Sequence, residues 1–181
     1  MNWLGELVQE EITTEDTVVS LGCGILQELW GLKCKSFLGM DIYEPYVNKL
    51  KLAGINVVLA DATTYDFKDD RFDIVLALDV LEHLSHEDAI DLIKKMKSIA
   101  NKKVIVYTPK NFFNNVDTNW KGKHQDINEW LDKAENSPYK GLGINKHQKH
   151  LCLITEEELR DLGFSTYVTR IDNNIFATWT R

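Results

Sequence analysis

The residue types able to do chemistry fall at regular places along the chain. Gly22 and Gly24 stand one residue apart at the end of the apolar run Thr17-Val18-Val19-Ser20-Leu21. Asp41, Asp61 and Asp79 each close a later apolar run, and His83 follows the last of these acids. Glycines let a backbone turn tightly and come close to a ligand. A carboxylate about 20 residues beyond such a turn is placed to accept from ribose hydroxyls, and Asp41 stands at that interval from Gly22. A histidine beside the same crevice can take a proton. Each residue also has a plainer use, the acids as solvated turn residues and His83 as a packing or capping group.

The elements that must position these groups follow from the apolar periodicity. Trp3, Leu4, Leu7 and Val8 recur at helical spacing. The Val-rich run from Thr17, then Ser36–Asp41, Asn56–Asp61, Phe72–Leu78 and Lys103–Thr108, read as strands. Ile25 to Trp30 can start a helix whose free amides face the glycine turn. Pro45 and Gly54 bracket a second helix, Glu44 to Ala53, and Ser85 with Asp88 opens a third that runs to about Ala100. Strands alternating with helices imply a doubly wound α/β fold with a mostly parallel sheet. Right-handed crossovers then bring the strand ends, and the three acids, to one edge. Thr155 with Glu158 caps a short helix ended by Gly163. Phe164 to Ile171 and Asn174 to Thr180 form a terminal hairpin about Asp172-Asn173, so the sheet finishes antiparallel.

Between them lies a stretch of another kind. Residues 111–150 carry six lysines against five acids and three of the five histidines, with Trp120, Trp130 and Leu131 as the main apolar anchors. Only Ile127 to Glu135 looks helical. So long an excursion is more often a lid or binding segment than filler, although a solvated loop is the plainer alternative. The 181 residues are expected to form one domain with this insertion at about 111–150.

Composition narrows the function classes. A net charge of −7 disfavours a nucleic-acid backbone as main partner. No run is long enough to span a membrane, and the first residues lack the pattern of a secretory leader, so a cytoplasmic location is expected. Cys23, Cys34 and Cys152 are not spaced as metal ligands, and no metal is expected.

Taken together, the motifs resemble the class I S-adenosylmethionine-dependent methyltransferases. The resemblance rests on Val18-Val19-Ser20-Leu21-Gly22-Cys23-Gly24, Gly39-Met40-Asp41-Ile42, Ala60-Asp61-Ala62, and Phe72-Asp73-Ile74-Val75 running into Asp79-Val80-Leu81-Glu82-His83-Leu84. It covers nearly the whole chain and implies a Rossmann-like, seven-stranded sheet with an antiparallel C-terminal hairpin. It also implies S-adenosylmethionine as cofactor. Leu21, Gly22, Cys23 and Gly24 would approach its methionine and ribose, Asp41 would accept both ribose hydroxyls, and Ile42 would pack on the adenine. Asp61 and Ala62 would meet the adenine amino group, with Leu78 and Asp79 near the α-ammonium. An empty site would then not need the Asp41 carboxylate. Ser20 stands where the family usually has an acid, and Leu26 where a third glycine is common.

The resulting expectation is a methyltransferase acting on an oxygen, nitrogen or carbon of a small molecule, with His83 and His150 as candidate proton acceptors. A catalytically impaired cofactor-binding or interaction module is the alternative. A nicotinamide-dependent oxidoreductase is disfavoured by the terminal hairpin and the missing third glycine.

Overall fold

The computed structural model describes residues 2–115, 118–120, 123–125 and 127–181; the side chains of 118–120, 123–125, 127 and 128 lie outside the description. In chain order the strands are β1 (Thr17–Leu21), β2 (Ser36–Asp41), β3 (Val57–Leu59), β4 (Phe72–Leu78), β5 (Ala100–Thr108), β6 (Thr118–Trp120), β7 (Lys123–Gln125), β8 (Ser165–Val168) and β9 (Ile175–Thr180). The α-helices are α1 (Trp3–Glu10), α2 (Glu44–Leu52), α3 (His86–Ile99), α4 (Ile127–Lys133) and α5 (Glu156–Asp161). Seven strands form one sheet in the order β3-β2-β1-β4-β5-β9-β8. Its first five strands are parallel, and β9 and β8 join antiparallel, as the resemblance implies. Chain order reverses between β1 and β4, and a doubly wound sheet binds ligands beyond the carboxyl ends of such a pair.

The central strands are apolar throughout because helices or turns cover both sheet faces. Val75, Ala77, Val104 and Val106 face one cluster with Ala89, Leu92, Ile93 and Met96 of α3. Ile74, Leu76, Ile105 and Tyr107 face the other, with Leu4 and Val8 of α1 and Val47 and Leu50 of α2. Side-chain caps fix the helix starts: Asn2 accepts from Gly5 N, and Ser85 accepts from Asp88 N. At α5 the Thr155–Glu158 capping box is complete in both directions. Each such cap contributes about 1 kcal/mol.

Three local expectations need correction. The segment Ile25–Trp30 is a series of turns, not a helix. Gly22, Gly24 and Leu26 have φ of 63°, 54° and 58°, and a right-handed helix does not start from left-handed backbone. Ile25, Leu26 and Leu29 are nonetheless buried, so the turns cover the sheet face that a helix would have covered. The terminal hairpin is wider than a two-residue turn. Thr169 Oγ1 donates to Asp172 Oδ1 and accepts from Asn174 N, and Thr169 N donates to Asn174 O, which closes the chain before Ile171 is reached. The third strand stops at Leu59, because Asp61 enters a turn with Thr63.

The stretch 111–150 carries more structure than its sequence suggests: the β6–β7 hairpin, α4, and a 3-10 turn at Lys146–Gln148. The expected anchor Trp120 and the histidine His124 have side chains outside the described residues. Beyond α4 the chain is tied to α2. Tyr43 Oη donates to Leu142 O at 2.8 Å, Lys49 Nζ donates to Pro138 O at 2.6 Å, and the Tyr46 and Tyr139 rings lie 5.6 Å apart.

Candidate functional site

A crevice of about 330 Å³ opens beyond the carboxyl ends of the parallel strands, within the size range of small-molecule sites. Gly22, Asp41, Ile42, Asp61, Ala62, Asp79 and His83 line it, so residues from the ends of four strands converge there. Leu21 and Cys23 point into the two cores on either side of the sheet. Leu78, Gly24 and His150 are not part of the crevice wall.

The glycine turn is shaped by close approach. A Cβ on Gly22 would stand 2.7 Å from Val80 Cγ2, and its φ of 63° disfavours any side chain. Leu26, at the place where the resemblance would put a third glycine, holds a left-handed backbone and does so while buried. Cys23 N donates to Met40 O at 2.9 Å, and Gly24 N to Asp41 Oδ2 at 2.8 Å. Burial, with Asp41 beside it, pushes the Cys23 thiol up to about 12, so it is not a nucleophile.

Asp41 is 6% exposed and already occupied on both oxygens, since Oδ1 accepts from Tyr43 N at 2.8 Å. The empty site thus depends on this carboxylate, contrary to the sequence expectation. Each oxygen keeps a lone pair for a further donor. Burial raises its pKa against the backbone hydrogen bonds that lower it. Asp61 engages only Oδ1 among the described residues, accepting from Thr63 N and Thr63 Oγ1. Its turn is held from below by Lys95, whose Nζ donates to the carbonyls of Ala62, Thr63 and Tyr65. A lysine on the inner side of α3 is the sequence signal that could have found this support.

Asp79 has φ of 53° and is surrounded by protein yet open to the crevice. The protein around it, then Glu28 and Asp172, raise its pKa. Glu82 beneath it is 2% exposed, accepts from Thr108 Oγ1 at 3.1 Å and shares a hydrogen bond with Asp79. Burial and the Asp79 charge push the Glu82 carboxyl well above the usual range. Glu28, on the turns after β1, is also raised by burial. The crevice floor is therefore acidic, and no ion pair to Asp41, Asp79 or Glu82 is present among the described residues. A cation bound there would relieve these charges.

His83 and His150 come together with ring centroids 5.0 Å apart. His83 Nδ1 lies 3.3 Å from Lys149 O, and His150 Nδ1 lies 3.1 Å from Phe113 O. A carbonyl only accepts, so each ring carries its proton on Nδ1. Burial, with His150 alongside, lowers the His83 pKa to about 4, and burial lowers that of His150, so both rings are neutral near pH 7. On the outer side, Asn145, His147, Gln148 and Leu151 complete the crevice wall. The segment Asn145 to His150 resembles, in sequence, the substrate-side segment of some small methyltransferases, and the return of the excursion across α2 brings Asn145 and His147 of it to the crevice.

Comparison with known proteins agrees with this geometry. Residues 19–107 match the family model described as a methyltransferase domain. The chain is 34% identical over 98 residues to (S)-coclaurine N-methyltransferase of Papaver somniferum, an alignment covering 48% of this chain and 27% of that protein. It spans 27% and 52% of the length of the two curated relatives it matches. The fold is shared with magnesium protoporphyrin IX methyltransferase from Synechocystis PCC 6803, crystallised with S-adenosylhomocysteine: TM-score 0.62, 20% identity, covering 98% of this chain and 79% of that one. A Rhodobacter sphaeroides protein titled as a putative Zn-dependent alcohol dehydrogenase shares it too, with TM-score 0.69 at 14% identity over 100% of this chain and 90% of that one. At such identities the likeness concerns the fold alone. No helix among the described residues is long and apolar enough to cross a membrane. Over residues 19–107 the chain thus matches a methyltransferase domain, and its strand order and glycine-and-acid edge are similar to those of the class I S-adenosylmethionine-dependent methyltransferases.

Proposed function

We propose that the protein binds S-adenosylmethionine in this crevice and transfers its methyl group to a nucleophilic atom of a small molecule. The observation that carries the reading is the ring of carboxylates at the strand ends, acidic and without a cationic partner among the described residues. The cofactor is a cation at its sulfonium and ammonium, and such a floor suits it. Asp41, with a lone pair left on each oxygen, would take the ribose hydroxyls. Ile42, 40% exposed, offers an apolar face for the adenine, with Asp61 and Ala62 at its edge. Gly22 lets the turn pass tightly against Val80 at the crevice wall, and Asp79 lies where an ammonium group would be neutralised. When bound, the cofactor supplies an already electrophilic methyl group. The residues of this chain then align the acceptor and exclude water, and the segment from Asn145 to Leu151 forms the wall that would do so. That segment, within the insertion at about 111–150, is the proposed substrate side. The freedom of this segment is reduced by the hydrogen bonds of Leu142 O with Tyr43 and of Pro138 O with Lys49.

The test is ligand binding by the purified protein. S-adenosylhomocysteine at a hundred times its dissociation constant should stabilise the fold by about 2.7 kcal/mol, whereas NAD should not. An unmoved melt at millimolar S-adenosylhomocysteine, with NAD shifting it, overturns the reading. Methyl transfer to a panel of small amines, phenols and alcohols then separates an active enzyme from a binding module.

A further inference from the structure

Glu82, His83 and His150 meet where the turn after β4 touches the return of the excursion. Their nearest ligating atoms all lie within 4.8 Å of one another. We propose that these three residues bind one divalent first-row transition cation at the edge of the crevice, and that its open positions hold an oxygen of the methyl acceptor. The second half of this statement rests on the methyltransferase reading, the first does not.

Four features of the site favour a metal over simple packing. The donor set is two imidazoles and one carboxylate, a combination that suits first-row cations and leaves coordination positions open. Both rings point Nδ1 at a backbone carbonyl, Lys149 O for His83 and Phe113 O for His150. A proton on Nδ1 would leave the Nε2 lone pair to a metal, as in metal-bound histidine whose other nitrogen meets an outer-shell carbonyl, and the His83 ring also faces the carbonyls of Asp79 and Gln148. The ring of His150 is further held by Phe113, at a centroid distance of 4.4 Å, and its backbone N donates to Asn115 Oδ1 at 2.9 Å. Last, Glu82 is almost wholly inside the protein and has no cationic partner among the described residues. Buried carboxylates are normally paired or bound to a metal. Ligands of one zinc-sized ion at about 2.1 Å stand about 3.4 Å from each other in a tetrahedron, so small side-chain rotations close the set. His83 lines the crevice, which puts the open positions on the side where a substrate enters.

The arrangement also accounts for a backbone feature. Glu82 O accepts from Leu151 N at 2.7 Å and from Cys152 N at 3.3 Å, which brings the residues flanking His150 to the Glu82–His83 turn. The two halves of the site are thus held in place before any ion arrives.

The experiment uses the whole chain, stripped with EDTA and titrated with cobalt(II) and, separately, zinc(II). One equivalent of cobalt should bind, with visible absorption from a site containing nitrogen ligands, and zinc should displace it. His150→Ala and Glu82→Gln should weaken uptake by at least about a hundredfold. His83→Asn, at a position open to the crevice, is the variant whose fold is safest. Circular dichroism and thermal melts on the same samples report that each variant is folded, and S-adenosylhomocysteine binding by the wild type should be insensitive to EDTA. Absence of any cobalt or zinc uptake by the wild type overturns the site, and so does uptake that His83→Asn leaves unchanged, which would point to exposed histidines such as His86 or His147. Metal uptake with no S-adenosylhomocysteine binding would overturn the methyltransferase reading and leave the metal site standing.

Discussion

The two ends of the parallel sheet use the same residue type in opposite ways. At the amino ends of the strands, Asp16 accepts from Thr13 N, Thr13 Oγ1 and Lys102 Nζ, at 2.7, 2.9 and 2.6 Å. Asp73 accepts from Thr17 N at 3.0 Å, and Lys102 lies 3.3 Å from its other oxygen. Burial would raise the Asp16 pKa, but Lys102 and Thr13 outweigh it and hold the carboxyl below its ordinary value; for Asp73 the Thr17 hydrogen bond leads and the net direction is the same. At the carboxyl ends, Asp41, Asp79 and Glu82 are all raised, with burial as the first cause of each. One end spends its acids on holding strands and loops together. The other leaves them without a cationic partner among the described residues, an arrangement that suits the proposed cationic ligand. A folded chain tolerates that electrostatic cost where function needs a poised site.

The largest expected effect is at the amino end. Asp16→Ala removes three hydrogen bonds, one of them charge-assisted, and should cost about 3 kcal/mol, which is about 6–12 °C in Tm for a chain of this size. The affinity for S-adenosylhomocysteine should be unchanged, because the residue lies at the far edge of the sheet. The pH dependence follows from the sign of the shift. A carboxyl whose folded pKa is depressed contributes stability that is present above its unfolded value, about 3.9, and lost as pH falls through the folded value. Urea melts between pH 6 and pH 2 should therefore show a shallower acid limb for Asp16→Ala than for wild type. Equal slopes, or a loss of ligand affinity, would break the contrast between the two ends.

Asp41→Ala comes next and should act on both quantities. If Asp41 holds the ribose, losing charge-assisted hydrogen bonds of about 1.5–3 kcal/mol weakens S-adenosylhomocysteine about ten- to a hundredfold in a calorimetric titration. The apoprotein should also lose about 1 kcal/mol, since Gly24 N and Tyr43 N lose their acceptor. Stability loss with unchanged affinity would mark Asp41 as a structural acid of the kind found at the other end.

The sheet was readable because its chemistry is local. Ser36–Asp41 and Phe72–Leu78 were both delimited from sequence, since a run of Val, Leu and Ile ending at an acid has few other uses. The turns after β1 were not, because nothing in a leucine announces a φ of 58°. Ile25 to Trp30 has the composition of a helix, and three left-handed residues override that preference. The crevice was half legible. Gly22, Asp41, Asp61 and Asp79 sit at strand ends that topology brings together, whereas Asn145 and His147 arrive through contacts of Tyr43 and Lys49 with a segment about a hundred residues away. His83 and His150 were each visible, but their meeting was not, because it depends on Glu82 O capturing the backbone of Leu151 and Cys152.

The smallest effect expected is that of Asp79→Asn, and it probes the carboxyl end most directly. Asparagine tolerates the left-handed backbone that Asp79 adopts, so the substitution removes a charge without forcing the turn. Its carbonyl oxygen keeps an acceptor toward Glu82, and its amide faces the open crevice, where water can satisfy it. With no cationic partner lost among the described residues, the folded state should stay within about 0.5 kcal/mol of wild type. The proposed ligand, by contrast, loses an anion near its ammonium group. For a carboxylate that water reaches, that is worth about 1 kcal/mol, or about fivefold in affinity. Guanidinium melts and calorimetry on the same variant read the two numbers independently. A stability loss of about 2 kcal/mol or more would show that Asp79 is bound into the fold as Asp16 is, and the division between a structural and a receptive end of the sheet would fail at its central strand.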